Sequence, residues 1–313
     1  MAHSHKKYQL LIERCRSLPP ASAAVAHPCD RSSLEGAIDA ARLGLIAPTL
    51  VGPAARIAAV AAEYHLDISP YPLIDAAFSQ EAAEKAVALV RSGQAEILMK
   101  GSLHTDELLG AVVKRETGLR TARRLSHCFV MDVPGHADVI VITDAAINIA
   151  PTLEDKVDIV QNAIDLVNAL GVPEARVAIL SAMETVNPKV PSTVEAAALC
   201  KMADRKQITG GILDGPLALD NAISLKAAQI KQIDSPVAGR ANVLVVPDLE
   251  AGNMLAKSLT FLAGADSAGI VLGAKVPIVL TSRADSVQAR LASCAIAVLL
   301  AHARREQARK ALV

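Results

Sequence analysis

The sequence predicts an α/β fold in two domains, each a parallel or mixed sheet with helices on both faces. Three observations carry this. Short β-branched runs alternate with longer helical patterns along the chain. Of the 313 residues, 52% are hydrophobic but only 2% aromatic, so the core is built from Ala, Leu, Val and Ile, as in a helix-covered parallel sheet. The elements are too many for one compact sheet. The polar stretch Asp132-Val133-Pro134-Gly135-His136 is the expected boundary. If the last helix packs back on the first half, residues 1–135 with 285–313 form one domain and residues 136–284 an inserted second one.

The elements follow in order. Residues 48–51 read as a strand closed by Gly52-Pro53, and residues 54–64 as a helix. A helix over 80–92 ends at Gly93, and a buried strand over 96–99 leads into Lys100-Gly101-Ser102, with a helix over 106–114. Residues 138–143 are the clearest strand. Thr152 and Asp155 form a capping-box pattern for a helix that Gly171 ends, and Ser192 with Glu195 form another for the helix through Ala203. Strands over 176–180 and 208–213 follow, the second entering Asp214-Gly215-Pro216 as a turn. A strand over 242–246, a helix over 250–262, strands over 268–272 and 276–280, and a long helix over 286–309 complete the chain.

Composition excludes several functions. Lys+Arg and Asp+Glu are equal at 32 each, so no bulk positive field draws nucleic acid or an anionic membrane. With no Trp, base-stacking platforms are not expected. Cys15, Cys29, Cys128, Cys200 and Cys294 are scattered and read as small buried hydrophobes in a reducing cytoplasm, not as a disulfide framework or zinc site. The eight histidines are dispersed with no metal-ligand spacing, so no metal is expected. The polar N-terminus carries no secretory apolar region.

The chemistry concentrates where strands end. In Val276-Pro277-Ile278-Val279-Leu280-Thr281-Ser282-Arg283-Ala284-Asp285-Ser286 an apolar run stops in small polar residues around one Arg, and a helix begins. Free N–H groups and the helix dipole favour an anion there, Thr281, Ser282 and Ser286 add hydroxyls, and Arg283 adds a guanidinium suited to phosphate. Further polar strand ends are Lys100-Gly101-Ser102-Leu103-His104-Thr105, Thr143-Asp144 through Asn148, Ser181 through Thr185, and Asp214-Gly215-Pro216 through Asp220. No Rossmann glycine fingerprint, P-loop or nucleophile elbow occurs.

Taken in order, Leu98-Met99-Lys100-Gly101, Thr143-Asp144-Ala145-Ala146-Ile147-Asn148-Ile149, Ser181-Ala182-Met183-Glu184-Thr185-Val186-Asn187-Pro188, Asp214-Gly215-Pro216-Leu217-Ala218-Leu219-Asp220-Asn221-Ala222, Val246-Pro247-Asp248-Leu249-Glu250-Ala251-Gly252-Asn253-Met254 and Thr281-Ser282-Arg283 resemble the phosphate acetyltransferase/phosphate butyryltransferase family. The resemblance runs from about Ala95 to Ala301 and is looser over the N-terminal part. It implies reversible transfer of a short acyl group, acetyl first, between coenzyme A and inorganic phosphate. It also implies a fold similar to isocitrate and isopropylmalate dehydrogenases, an active site in the interdomain cleft, a homodimer, and no permanently bound cofactor. Ser282, Arg283 and Asp285 are then the expected catalytic residues: oxyanion donor, phosphate clamp and nearest carboxylate for proton transfer. Lys100, Gly101, His104, Thr105, Thr143, Asp144, Asp214, Gly215, Pro216, Asp220, Thr281 and Ser286 are expected to bind substrate. The chain departs from the acetyltransferase branch at Ala289, where that branch carries an Asp regarded as the base, and at Gly110, where it carries an Arg. Lys100 and the segment from Asp214 to Asp220 look more like the butyryltransferase branch.

Two other classes stand beside this reading. A NAD-dependent decarboxylating dehydrogenase of the same fold needs a dinucleotide site and paired metal-binding Asp residues, neither of which is evident. A non-catalytic coenzyme A-binding protein is suggested only by Ala289.

Overall fold

The computed structural model describes residues 6–281 and 285–311. In chain order the elements are α1 (Lys6–Cys15), β1 (Ala21–Ala26), α2 (Arg31–Arg42), β2 (Ile46–Gly52), α3 (Ala54–Glu63), β3 (Leu73–Asp75), α4 (Ser79–Arg91), β4 (Ile97–Lys100) and α5 (Thr105–Val113). Then come β5 (Ser126–Asp132), β6 (Ile140–Thr143), α6 (Leu153–Ala169), β7 (Ala175–Leu180), α7 (Pro191–Asp204), β8 (Gly211–Leu217), α8 (Leu219–Ile223), α9 (Leu225–Ile230), β9 (Val243–Val245) and α10 (Leu249–Leu262). The chain closes with β10 (Asp266–Leu272), β11 (Ile278–Val279) and α11 (Val287–Ala311). No helix among the described residues is long and apolar enough to cross a membrane.

Two compact units result. One is Arg124–Ser267; the other is the described part of His5–Arg123 and Ala268–Val313. The divisions therefore fall earlier than the sequence suggested, at 123/124 and 267/268. Asp132 ends β5, and the polar residues after it lead into β6, which pairs antiparallel with β5, Met131 opposite Ile140. Turn chemistry at that point marks a reversal inside a sheet.

In the unit containing the chain's first elements the strand order is β3-β2-β1-β4-β11-β10. The strands are parallel except for the β10/β11 pair, where Ile270 faces Val279. The chain steps outward from β1 to β3 and then returns past β1 to β4. With right-handed crossovers this reversal puts α2 and α3 on one face and α4 on the other. β1 and β4 are thus the neighbours at which the winding changes sense, where an open α/β sheet leaves a crevice at its carboxyl edge. Ile97, Leu98 and Met99 of β4 are buried, as a strand covered on both faces requires. α11 is buried along residues 289–301, which explains why its apolar residues show no single-face period. It packs on α1 and α2.

In the other unit the order is β5-β6-β9-β7-β8, with β9 inserted between β6 and β7, parallel to both. Met131, Ile140, Ile142, Leu180, Leu217, Leu244 and Val246 form its core. Ile142 is fully buried there. Ile142→Ala is expected to lower unfolding stability by about 2–5 kcal/mol through lost burial and a residual cavity. The denaturant midpoint measures it, and a change below about 1 kcal/mol would contradict this packing.

Candidate active site

At the β1/β4 neighbours the backbone comes very close. A Cβ on Gly101 would sit 2.4 Å from both Ala26 O and His27 O, so only glycine follows Lys100 here. Gly101 N donates to Ala26 O at 2.8 Å and Ser102 N to His27 O at 2.8 Å, tying the two strand ends together. His27 takes a positive φ of 54°, and its Nδ1 lies 3.0 Å from Ser102 Oγ, which donates to His27 O at 2.9 Å. Lys100 Nζ donates to Gly101 O and Leu103 O, each at 3.0 Å.

Beside this junction Asp30, Ser32, Ser33, Lys100, Gly101, Thr281 and Arg290 line a small hollow of about 10 Å³. Asp30 caps α2: its Oδ1 accepts from Ser33 N at 2.9 Å, Ser33 Oγ at 2.7 Å and Ser32 Oγ at 3.2 Å. Ser286 caps the start of α11, its Oγ accepting from Ala289 N at 3.1 Å. Arg290 Nη1 donates to Asp285 O at 2.6 Å, which fixes the backbone carbonyl of Asp285. Of the expected catalytic residues, Asp285 is half-buried, while Ser282 and Arg283 lie outside the described residues. Ala289 is buried. His104 is exposed ahead of Thr105, which begins α5; Glu107 Oε2 accepts from His104 N at 2.8 Å and Glu107 Oε1 from Ser79 Oγ at 2.6 Å. Gly110 is exposed, with open space around it.

The second group of expected residues sits in the other unit. Asp144 is only 3% exposed. Its Oδ1 accepts from Ala146 N at 2.9 Å and Ile147 N at 3.0 Å, and its Oδ2 from His127 N at 3.1 Å and Asn148 Nδ2 at 2.6 Å. Thr143 Oγ1 donates to His127 O at 2.9 Å. Both side chains hold the turn after β6. Asn148 extends the network to Arg124 Nε at 2.5 Å and Leu125 O at 2.9 Å.

Asp214, Gly215 and Pro216 do not form a turn after a strand; they lie within β8. The β7/β8 register shifts between Ala178 and Leu180, and a Cβ on Gly215 would meet Ile179 O at 2.7 Å, so the glycine serves an irregularity in the sheet. Asp214 Oδ1 accepts from Gly215 N at 2.8 Å. Asp220 is exposed, 3.8 Å from Lys231 Nζ. Glu184 pairs with Lys231 at 2.8 Å and accepts from Asn221 Nδ2, all within this unit.

The capping box expected for α7 does not form. The helix begins at Pro191 after Val190, which places Ser192 inside its first turn. Ser192 Oγ instead lies 2.9 Å from Ser181 Oγ, and Glu195 pairs with the buried Lys156. The Thr152/Asp155 box forms as expected. Ala150, Pro151, Thr152, Lys156, Pro191, Ser192, Glu195, Pro247 and Asp248 line an open hollow of about 520 Å³ beyond the carboxyl ends of β6, β7 and β9. Lys156, Glu195 and Arg290 were not legible as site residues, because each lies inside a helix and not at a polar strand end; His27 follows β1, whose alanine-rich sequence does not read as a strand.

The cysteines Cys15, Cys29, Cys128, Cys200 and Cys294 are free. Burial pushes the Cys15 and Cys29 thiols up to about 11 and those of Cys128, Cys200 and Cys294 up to about 12. At neutral pH they stay protonated and are poor nucleophiles. Among the described residues no cluster of three or more His, Cys, Asp or Glu side chains is placed to hold a metal ion.

Residues 76–298 match the family described as phosphate acetyl/butaryl transferase. The phosphate acetyltransferase of Rhizobium meliloti is 66% identical over 98% of this chain and 97% of its own length. The phosphate butyryltransferase of Clostridium beijerinckii is 40% identical over 95% of this chain and 98% of its own. Among solved structures, a branched-chain phosphotransacylase from Enterococcus faecalis V583 is 32% identical with a TM-score of 0.79, covering 90% of this chain and 99% of that one. A 4-hydroxythreonine-4-phosphate dehydrogenase from Klebsiella pneumoniae shares the fold alone, at 13% identity and a TM-score of 0.56, covering 90% of this chain and 99% of that one. The family match and the sequence relatives make this two-unit α/β protein an acyl-group transferase. The chain belongs to the phosphate acetyl/butaryl transferase family.

His127 carries a pH prediction. It is buried, and among the described residues its Nδ1 has no hydrogen-bond partner. Burial pushes its pKa below the ordinary value, against the opposing pull of Asp144. The folded state holds the ring neutral while the unfolded chain takes up a proton below about 6.5. This contribution to stability is therefore complete above about pH 6.5 and is lost as pH falls through the depressed folded value. His127→Phe is expected to flatten the stability decline below about pH 6.5. Melting temperatures across pH measure it, and an unchanged slope would contradict the assignment.

Proposed function

We propose that the chain is a phosphate acetyltransferase, catalysing acetyl-CoA + phosphate ⇌ acetyl phosphate + CoA. Membership makes it a phosphate acyltransferase. The choice of acetyl rests on one observation, the 66% identity to an acetyltransferase against 40% to a butyryltransferase. Coenzyme A and phosphate are substrates, and no permanently bound cofactor is required. We place the enzyme in the cytoplasm as a homodimer. Its fold is read as isocitrate/isopropylmalate dehydrogenase-like, on the resemblance of its motifs alone.

In the forward step an oxygen of hydrogen phosphate attacks the thioester carbonyl carbon. A C–O bond forms, and the carbonyl electron pair moves to oxygen. Ser282 donates to that oxyanion and Arg283 holds the phosphate. When the C–S bond breaks, the proton from the phosphate hydroxyl passes through Asp285 to the thiolate, giving acetyl phosphate and CoA thiol. Lys100, Gly101, Thr281 and Ser286 surround the phosphate end. His104 and Thr105 at the start of α5, together with Asp214, Gly215, Pro216 and Asp220, serve substrate binding. Thr143 and Asp144 act by holding their turn.

Phosphate-dependent thiol release measures the reaction. kcat/KM for acetyl-CoA is expected to exceed that for butyryl-CoA by about tenfold, near 1.4 kcal/mol of discrimination. A reversed preference makes the enzyme a butyryltransferase, and no release with either removes the reading. Arg283→Ala is expected to cut turnover at least about tenfold, the scale of one charged contact, and unchanged kinetics would exclude Arg283.

A further inference from the structure

Arg290 is 6% exposed on a helix buried along that stretch, yet among the described residues no carboxylate pairs with it. Its Nη1 reaches the Asp285 carbonyl at 2.6 Å, and among the described residues its Nε has no hydrogen-bond partner. A guanidinium keeps its charge at any ordinary pH, so it cannot escape burial by losing a proton. Carrying it inside without a counter-charge costs stability unless an anion arrives. The seat is shaped around it: a Cβ on Gly36 of α2 would press to 3.3 Å of Arg290 Cδ.

The same guanidinium lines the hollow at the β1/β4 junction together with Lys100 and Thr281. Among the described residues of that lining the one carboxylate is Asp30, whose Oδ1 accepts three donors at the cap of α2. Lys100 Nζ is engaged by the carbonyls of Gly101 and Leu103, which do not neutralise its charge, so among the described residues the two cationic side chains outnumber the carboxylate there. The hollow's volume of about 10 Å³ admits one oxygen-sized atom, not a whole anion.

We infer that Arg290, with Lys100, seats one oxygen of the phosphate that attacks the thioester, and of the acyl phosphate formed. The inference rests on the acyltransferase reading, and the anion it names is the phosphoryl group, not the phosphates of coenzyme A.

Arg290→Met and Arg290→Lys test it in the full-length protein, with steady-state kinetics, calorimetric titration of inorganic phosphate, and melting temperature. Removing the guanidinium in Arg290→Met is expected to raise the KM for phosphate at least about tenfold and weaken phosphate binding equally. The KM for acyl-CoA stays within about twofold and the melting temperature is unchanged or higher, since an uncompensated buried charge has gone. Arg290→Lys, which keeps a cation in the seat, gives a phosphate KM between wild type and Arg290→Met. A structural cation predicts the opposite: a lower melting temperature with both KM values moving together, and that result overturns the inference. So does a rise in the acyl-CoA KM alone, or a Lys variant no better than the Met variant. If the Met variant fails to fold, the Lys variant decides: a phosphate KM raised about threefold or more with an unchanged acyl-CoA KM supports the seat, and anything less overturns it. If the wild type turns over no acyl-CoA, the acyltransferase reading fails by itself. Phosphate titration then decides for Arg290: binding weakened in Arg290→Met supports the seat, and binding unchanged or absent from the wild type overturns it.

Discussion

Parallel strands send all their carboxyl ends to one edge, and at that edge the first unit brings β1 and β4 closer than side chains allow. Gly101 is the meeting point, with Ala26 O and His27 O only 2.4 Å from where a Cβ would stand. The rest of that edge follows from this approach. The two backbone bonds across it fix His27 at positive φ, Ser102 turns back onto His27, and Lys100 is left to reach round onto Gly101 O and Leu103 O. The hollow beside Gly101 lies where the starts of α2 and α11 meet the ends of β4 and β11, next to backbone that carries no side chain.

The second unit meets the same problem with a carboxylate. A buried Asp has lone pairs that must be filled, and Asp144 fills them from β5, from two amides of its own turn and from Asn148. The result is a rigid strand end on which Arg124, Leu125 and Asn148 are stacked by hydrogen bonds. Two polar strand ends that look alike in sequence thus do different things. The one at Lys100-Gly101 sets the cationic side chains of Lys100 and Arg290 beside a hollow, and the one at Thr143-Asp144 consumes its own polar atoms.

That difference marks the limit of what the sequence carries. The alternation of strands and helices was legible because parallel strands are apolar runs and their helices have capping and stop signals, as Thr152, Asp155 and Gly171 show. β1 was not legible: Ala-Ser-Ala-Ala-Val-Ala has one β-branched residue, because a strand at the close approach needs small side chains more than strand propensity. β5 was hidden by Ser126, His127 and Asp132, polar residues that are nonetheless buried, Ser126 Oγ accepting from Asn162 Nδ2 of α6. The Ser192/Glu195 pattern misled for a related reason. Pro191 starts the helix two residues early, and Glu195 is drawn to Lys156 across α6 and α7 instead of to its own helix end.

Ala289 looked like a missing base when counted from Ser282 and Arg283. Its burial changes the meaning of that count. A carboxylate at position 289 would be carried inside the protein on α11, and successive helical residues face different directions, so the guanidinium of Arg290 would not pair with it. An unpaired buried carboxylate is costly as an anion, and desolvation favours its protonated form. The residue proposed as proton carrier, Asp285, stands nearer water: it is half-buried, and its backbone carbonyl accepts from Arg290 Nη1 at 2.6 Å. On this argument the alanine goes with the burial of this stretch of α11, and the Arg next to it steadies the backbone of the residue to which proton transfer is assigned.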